Sequence, residues 1–321
     1  MANYLAMDSG GTKVLAILYD EDFRPKAISR VGSFRANTTS PELVRRNMMQ
    51  LQQELGLLPG TVIDRFIGII YTEFVDFLEK TCTIKEIDRI GELEAGLHAA
   101  GIFGNGLMTL SGTGSNVGAL YNGQIHFAGG YGASVSDAGS GYWMAREAMN
   151  AAIADYEGFG EETQLTELIA QHFGYPKEEF KTAIFSIYEN TDFSPVAQVA
   201  SCAPLVSRAA KTGDRIACDI LKRTGEILGR QAVALIRKNG FPDDMPMTIS
   251  GSVWRSDRVL FDTFADTSHA QSPGRPIMIP EFEPILGVMT KHYLDLHGHF
   301  KEEDRALFRE LYPQYAFGLQ L

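Results

Sequence analysis

Cysteine, cationic side chains and long hydrophobic runs are all scarce in this chain, and each shortage narrows what it can be. Three cysteines, Cys82, Cys202 and Cys218, are spread over 321 residues. None stands in a CxxC pair or at zinc-ligand spacing, which argues against a zinc module; free thiols in a reducing compartment are expected. No apolar run approaches the ~20 residues of a bilayer span. The N-terminus runs directly into a strand, without the basic and apolar regions of an export signal, so no membrane partner and a cytoplasmic location are expected. Lys and Arg number 29 against 40 Asp and Glu, for a net charge of −11. That balance disfavours a nucleic-acid surface but leaves room for a local basic pocket. Hydrophobic residues make up 45% and charged residues 21%, so a packed fold follows, and the length favours two domains.

Glycine is what the chain has, 32 in all, and it gathers where short apolar runs end. Leu107-Met-Thr-Leu-Ser-Gly-Thr-Gly-Ser-Asn116 reads as a buried strand entering a tight turn of the smallest residues and hydroxyls. Such a turn can form an anion-binding nest, with Ser or Thr hydroxyls adding donors; an ordinary Gly/Ser hairpin is the competing reading. The same design opens the chain. Tyr4-Leu-Ala-Met7 runs into Asp8-Ser-Gly-Gly-Thr-Lys13, and Val14–Leu18 follows as the partner strand. An Asp at a strand end beside such a turn suits a hydrated Mg²⁺ next to phosphate. Two matching hairpins suggest two related domains that share one nucleotide.

Local patterns place strands at 4–8, 14–20 and 26–32. A helix starts at Ser40-Pro41-Glu42, a cap followed by Pro at the first helical position, with Leu43, Val44, Met48, Leu51 and Leu55 as a core stripe. Further on come strand 66–70, a short helix 74–81, an extended stretch 84–90 and a small Ala/Gly-rich helix 92–100. Strand 107–111 pairs with 117–121. The segment Phe127–Trp143 holds five glycines, at 129, 130, 132, 139 and 141, interrupted by aromatics. Helices are expected from Tyr142 to Ala154 and over 165–173, 176–188, 195–212 and 214–239. Strand 247–249, helix 258–264, strand 276–279 and helices 285–296 and 302–311 complete an α/β chain.

Taken together, the motifs resemble the sugar kinase/heat-shock ATPase/actin superfamily, and within it the N-acetylglucosamine kinase and BadF/BadG/BcrA/BcrD-type ATPase group. Asp8-Ser-Gly-Gly-Thr12 is similar to that group's first phosphate motif, and Ser111-Gly-Thr-Gly-Ser-Asn116 to its second. Gly129-Gly-Tyr-Gly…Asp137-Ala-Gly-Ser-Gly-Tyr-Trp143 resembles its sugar-binding segment, and Ser250-Gly-Ser-Val-Trp254 its adenosine motif. Asn37 sits where the group has an Asn touching the sugar. The resemblance implies two actin-like (ribonuclease H-like) domains hinged around a nucleotide cleft. The first would span 1–111 plus 301–321 and the second, helix-rich, 112–300. It implies an ATP-dependent, Mg²⁺-requiring kinase that phosphorylates a hexosamine such as N-acetylglucosamine or glucosamine. A homodimer is a further expectation.

On this reading Asp8 holds the metal, against the alternative that it caps the turn. Gly10, Gly11, Thr12, Lys13, Gly112, Thr113 and Gly114 would line the phosphates. Gly251 would let adenine lie against the backbone beside Ser252, with Trp254 a packing residue. Asn37, Gly130, Tyr131 and Asp137 would meet the sugar. Asp137 could instead be a solvated loop acid and Tyr131 a packing aromatic. The group's catalytic Asp, at the head of an Ala-rich helix, corresponds to Glu92, a carboxylate one methylene longer. Glu94 is a second candidate, and an acid placed only for the helix dipole is a third reading. The group's small-residue loop after strand 66–70 is replaced by Tyr71-Thr-Glu-Phe74, and Glu73 could enter the acceptor site. These departures motivate an alternative, a catalytically weakened nucleotide- or sugar-binding relative. An ATPase activator is a third possibility, although its iron–sulfur cysteine motif is absent.

Overall fold

The structure is a computed structural model that describes residues 2–133 and 135–319. The chain opens as its glycine-punctuated apolar runs dictate. β1 (Tyr4–Ser9), β2 (Lys13–Tyr19) and β3 (Pro25–Gly32) form an antiparallel meander. α1 (Pro41–Glu54) follows, capped by Ser40, whose Oγ accepts the Leu43 N–H. After β4 (Val62–Ile63), β5 (Arg65–Gly68) returns parallel to β1. Then come α2 (Thr72–Leu78), β6 (Thr83–Ile84), β7 (Ile87–Arg89) and α3 (Glu92–Ala99). The sheet order is β3-β2-β1-β5-β7.

The pattern then repeats. β8 (Gly106–Ser111), β9 (Ser115–Tyr121) and β10 (Gln124–Gly129) form a second meander. α4 (Gly141–Tyr156), α5 (Leu165–His172), α6 (Phe180–Glu189), α7 (Pro195–Ala200), α8 (Ala203–Lys211) and α9 (Arg215–Asn239) make up the helical stretch. β11 (Met247–Ser250), α10 (Arg258–His269) and β12 (Ile277–Met278) finish the unit, with β11 parallel to β8. The order β10-β9-β8-β11-β12 is the first order written again. α11 (Pro284–His297) and α12 (Glu302–Leu311) end the chain. Among the described residues, no helix is long and apolar enough to cross a membrane.

Two compact units result, Met1–Gly104 with Ile279–Gly318, and Asn105–Met278. Both divisions differ from the expected 111/112 and 300/301. β8 pairs with β9 and β11, so it belongs with the second unit. α11 packs its buried Ile285, Leu286, Val288 and Met289 into the core that holds Ala6, Ile67 and Ala95, so it belongs with the first. The stretch 195–212 is two helices, not one. A helix continued through Ser201 would need a Pro204 N–H for the Ala200 carbonyl, and the proline ring would clash there. β10 is a strand that local patterns left unassigned. Its signal is Asn122-Gly123, both at positive φ, a turn type that closes tight hairpins.

Close helix contact needs missing side chains. A Cβ on Gly287 of α11 would stand 1.9 Å from the Ala95 carbonyl oxygen of α3, which explains the small residues of that helix. α9 meets α10 the same way through Gly225, where a Cβ would lie 2.3 Å from the Leu260 carbonyl oxygen. Gly287→Ala is therefore expected to destabilise the chain by about 1–3 kcal/mol. Gly104→Ala, in open space, should stay within about 0.5 kcal/mol of wild type. Urea unfolding of the two variants checks this.

Candidate functional site

β1 brings Asp8 to the edge of a turn whose carbonyls are already engaged. Gly10 N–H donates to the Lys13 carbonyl (2.8 Å) and closes the turn. Ser33 Oγ donates to the Gly10 carbonyl (3.1 Å) and Thr38 Oγ1 to the Gly11 carbonyl (3.0 Å). Asn47, buried on α1, fastens that loop by donating to the Ser33 carbonyl. Among the described residues, nothing accepts the N–H of Gly11 or Thr12.

The β8–β9 turn repeats this with other means. The first two N–H groups of α4 hold it, Gly141 donating to the Gly112 carbonyl (2.7 Å) and Tyr142 to the Thr113 carbonyl (3.4 Å). Ser111 Oγ and Ser115 Oγ donate to the Gly139 and Ala138 carbonyls and tie down the glycine-rich segment. Among the described residues, the N–H groups of Thr113 and Gly114 also have no acceptor. Each unit thus presents outward-facing donors at one turn, the arrangement that suits an anion.

The two charged candidates of the first unit are coupled. Asp8 is half-buried, and burial pushes its carboxyl up to about 6; Lys13 opposes the shift, while Glu92 and Glu283 add to it. Lys13 Nζ lies 3.9 Å from Glu283. Glu92 is the first residue of α3, and burial raises it above the usual carboxylate range against the pull of Arg35. Glu94 keeps other company: burial raises it, Lys291 opposes, and Asp88 and Asp295 add to the rise. Two residues apart on a helix, the acids face different neighbours, and only Glu92 is coupled to Asp8.

Beside them lies a groove of about 430 Å³. Arg35, Asn37, Tyr71 and Glu73 form its polar side and Pro41, Val44 and Met48 its apolar side. Arg35 Nε donates to the Tyr71 hydroxyl at 2.8 Å. Tyr71 is therefore a wall of the groove and not a plug. Val44 and Met48 belong to the core stripe as expected, and the groove reaches them as well. Arg35, Ser33 and Thr38 are site residues that the motifs did not single out; the only trace of them is the polar character of loop 33–40.

In the second unit, Asp137 Oδ1 accepts the Gly132 N–H at 2.9 Å, while Oδ2 lies 2.7 Å from where a Gly114 Cβ would stand. The carboxylate packs on the turn and is not a freely solvated acid. Gly130 has φ +74° and Tyr131 is 73% exposed, so Tyr131 is no packing aromatic. Ser252, exposed, opens a single helical turn, Ser252–Arg255. Gly251 has φ +103°, and a Cβ there would lie 2.2 Å from the Ser111 carbonyl oxygen. Glycine is required there because β11 leaves the sheet across the end of β8. Gly68 repeats the device against Met7, at 2.0 Å. Trp254 is fully buried, donates to the Thr109 carbonyl and meets Phe264 edge-on, as a packing residue does.

Two meanders of one strand order, each with a donor-lined turn, define an actin-like ATPase fold. The profile of the BadF/BadG/BcrA/BcrD ATPase family matches residues 5–289, and the chain belongs to that family. An N-acetylmuramic acid/N-acetylglucosamine kinase of Clostridium acetobutylicum is 25% identical over 90% of this chain and 97% of its own. Two crystal structures of proposed N-acetylglucosamine kinases share the fold. That from Chromobacterium violaceum has a TM-score of 0.64 at 23% identity, covering 90% of this chain and 98% of its own. That from Porphyromonas gingivalis has 0.66 at 18%, covering 92% and 99%.

A carboxyl raised on folding costs stability once it ionises. Below the unfolded value both states are protonated and nothing is lost; as pH rises through about 6 the full penalty develops. Asp8→Asn should therefore stabilise the nucleotide-free protein, by on the order of 1–3 kcal/mol at pH 8, less at pH 5. Melting temperatures of both proteins at the two pH values check the sign; a gain that is larger at pH 5 would contradict it.

Proposed function

We propose that the chain is an ATP-dependent sugar kinase acting on a hexosamine such as N-acetylglucosamine or glucosamine. The observation that carries the reading is the turn after Asp8, whose carbonyls are occupied and whose Gly11 and Thr12 N–H groups are unclaimed among the described residues, in a unit that also holds a groove with Asn37 in its lining. The similarity to a curated sugar kinase over nearly the whole chain supports it. A family of ATPases supplies the donor; the acceptor is the inference.

In this reading Gly10, Gly11, Thr12 and Lys13 on one turn, and Gly112, Thr113 and Gly114 on the other, orient the phosphates of ATP, with Gly251 and Ser252 nearer the nucleoside. Asn37, Gly130, Tyr131 and Asp137 take the sugar. Glu92 accepts the proton of the acceptor hydroxyl as its oxygen bonds to the γ-phosphorus and the bond to the bridging oxygen breaks, releasing ADP. Among the described residues no group of three or more His, Cys, Asp or Glu could cage a metal. That fits Mg²⁺, which commonly takes one or two carboxylates together with phosphates and water, and Asp8 is the carboxylate proposed. Bound there, the ion would neutralise phosphate charge. The free cysteines suit a reducing compartment, and the proposed location is the cytoplasm.

The test is ADP release with Mg²⁺–ATP and a panel of N-acetylglucosamine, glucosamine, N-acetylmannosamine, N-acetylmuramic acid and glucose. An amino sugar should raise the rate, and Glu92→Gln should lower kcat by about 10²–10⁴. Glu92 works ionised, so wild-type kcat/KM should fall as pH drops through a value above the usual carboxylate range. Release that survives in Glu92→Gln would move the base elsewhere. ATP binding with no sugar-dependent turnover would favour the weakened, ligand-sensing relative.

A further inference from the structure

We propose that the apolar side of the groove at Asn37 binds an apolar arm on the acceptor, an N-acyl or O-alkyl chain of about two to four carbons. Among hexosamines, those carrying such an N-acyl or O-alkyl arm would then be preferred over unsubstituted glucosamine. This rests on the kinase reading and adds to it the substituent that the site selects.

Pro41, Val44 and Met48 stand at i, i+3 and i+7 on α1, so they share one face. The stripe runs inward from exposed Pro41 through half-buried Val44 to Met48 and Leu51, which are buried in the core of the first unit, so the groove is open at Pro41 and Val44 and floored by Met48. Sugar hydroxyls gain nothing there, because none of the three side chains offers a hydrogen bond and a desolvated hydroxyl is costly. Only an apolar group profits. The rest of the lining is braced. Tyr71 accepts a hydrogen bond from Arg35, and Phe34 packs between Tyr71 (6.4 Å between ring centres) and Phe74 (5.1 Å). A braced groove loses little freedom when it is filled. Asn37 and Glu73 supply the polar contacts that a ring or amine needs. Arg35 ties the groove to the chemistry, since the same side chain acts on Glu92. Tyr71 and Glu73, from the loop and helix start after β5, thus supply part of the wall that makes the groove.

The test is isothermal titration of two ligand series. One is glucosamine with its N-acetyl, N-propionyl and N-butyryl derivatives; the other is methyl to butyl glucosaminides. Affinity should rise about twofold to fourfold per added methylene in at least one series. A rise in the N-acyl series alone puts the arm on nitrogen, and a rise in the glycosides alone puts it on the anomeric oxygen; either supports the groove. Val44→Thr keeps the shape but adds a hydroxyl and should flatten the rise. Should it fold poorly, Val44→Ala should give a shallower slope. A flat or falling series in a protein that binds glucosamine overturns the apolar arm and spares the kinase reading. If no amino sugar binds at all, both fall.

Discussion

The hydrogen-bond accounting of two tight turns is the constraint on which the rest depends. A turn between antiparallel strands exposes both carbonyls and N–H groups, and an anion is attracted only where the carbonyls are occupied. Here two hydroxyls on loop 33–40 occupy them in the first unit, and the opening N–H groups of α4 do so in the second. The solutions differ chemically, but the result is the same. A loop after the meander and a helix start are therefore part of the site, although neither carries a reacting group.

Close backbone approach is the second requirement. Gly68 and Gly251 let a parallel strand leave its sheet directly over the end of its neighbour, while Gly287 and Gly225 let helices touch through their backbones. Around these contacts the first unit keeps acids partly desolvated. Burial raises both Asp8 and Glu92, which is tolerable in a site that binds cations or takes up protons and wasteful elsewhere. Stability and function pull in opposite directions at these residues.

Much of this was legible in the sequence, for physical reasons. Short apolar runs cut by Gly-rich turns can only be strands, and Ser40-Pro41 carries its own helix start. The glycines announced the turns. What the sequence could not supply was company. β8 reads as a strand whichever sheet it joins, so the unit boundary was misplaced by one strand. Val44 and Met48 read as core and are core, but a stripe looks the same whether or not a groove also reaches it. Glu92 and Glu94 were rivals, since a helix start shifted by two residues would exchange them; their neighbours Arg35 and Lys291 separate them. Gly251 announced a close approach, but not to what.

The measurement that bears most directly on the account is ³¹P NMR of the purified protein with Mg²⁺–ATP and N-acetylglucosamine or glucosamine. The account predicts a new phosphomonoester resonance that grows in step with ADP, one for one, and little inorganic phosphate. ADP matched by inorganic phosphate, whether or not sugar is present, would contradict it and leave an ATPase whose acceptor is water.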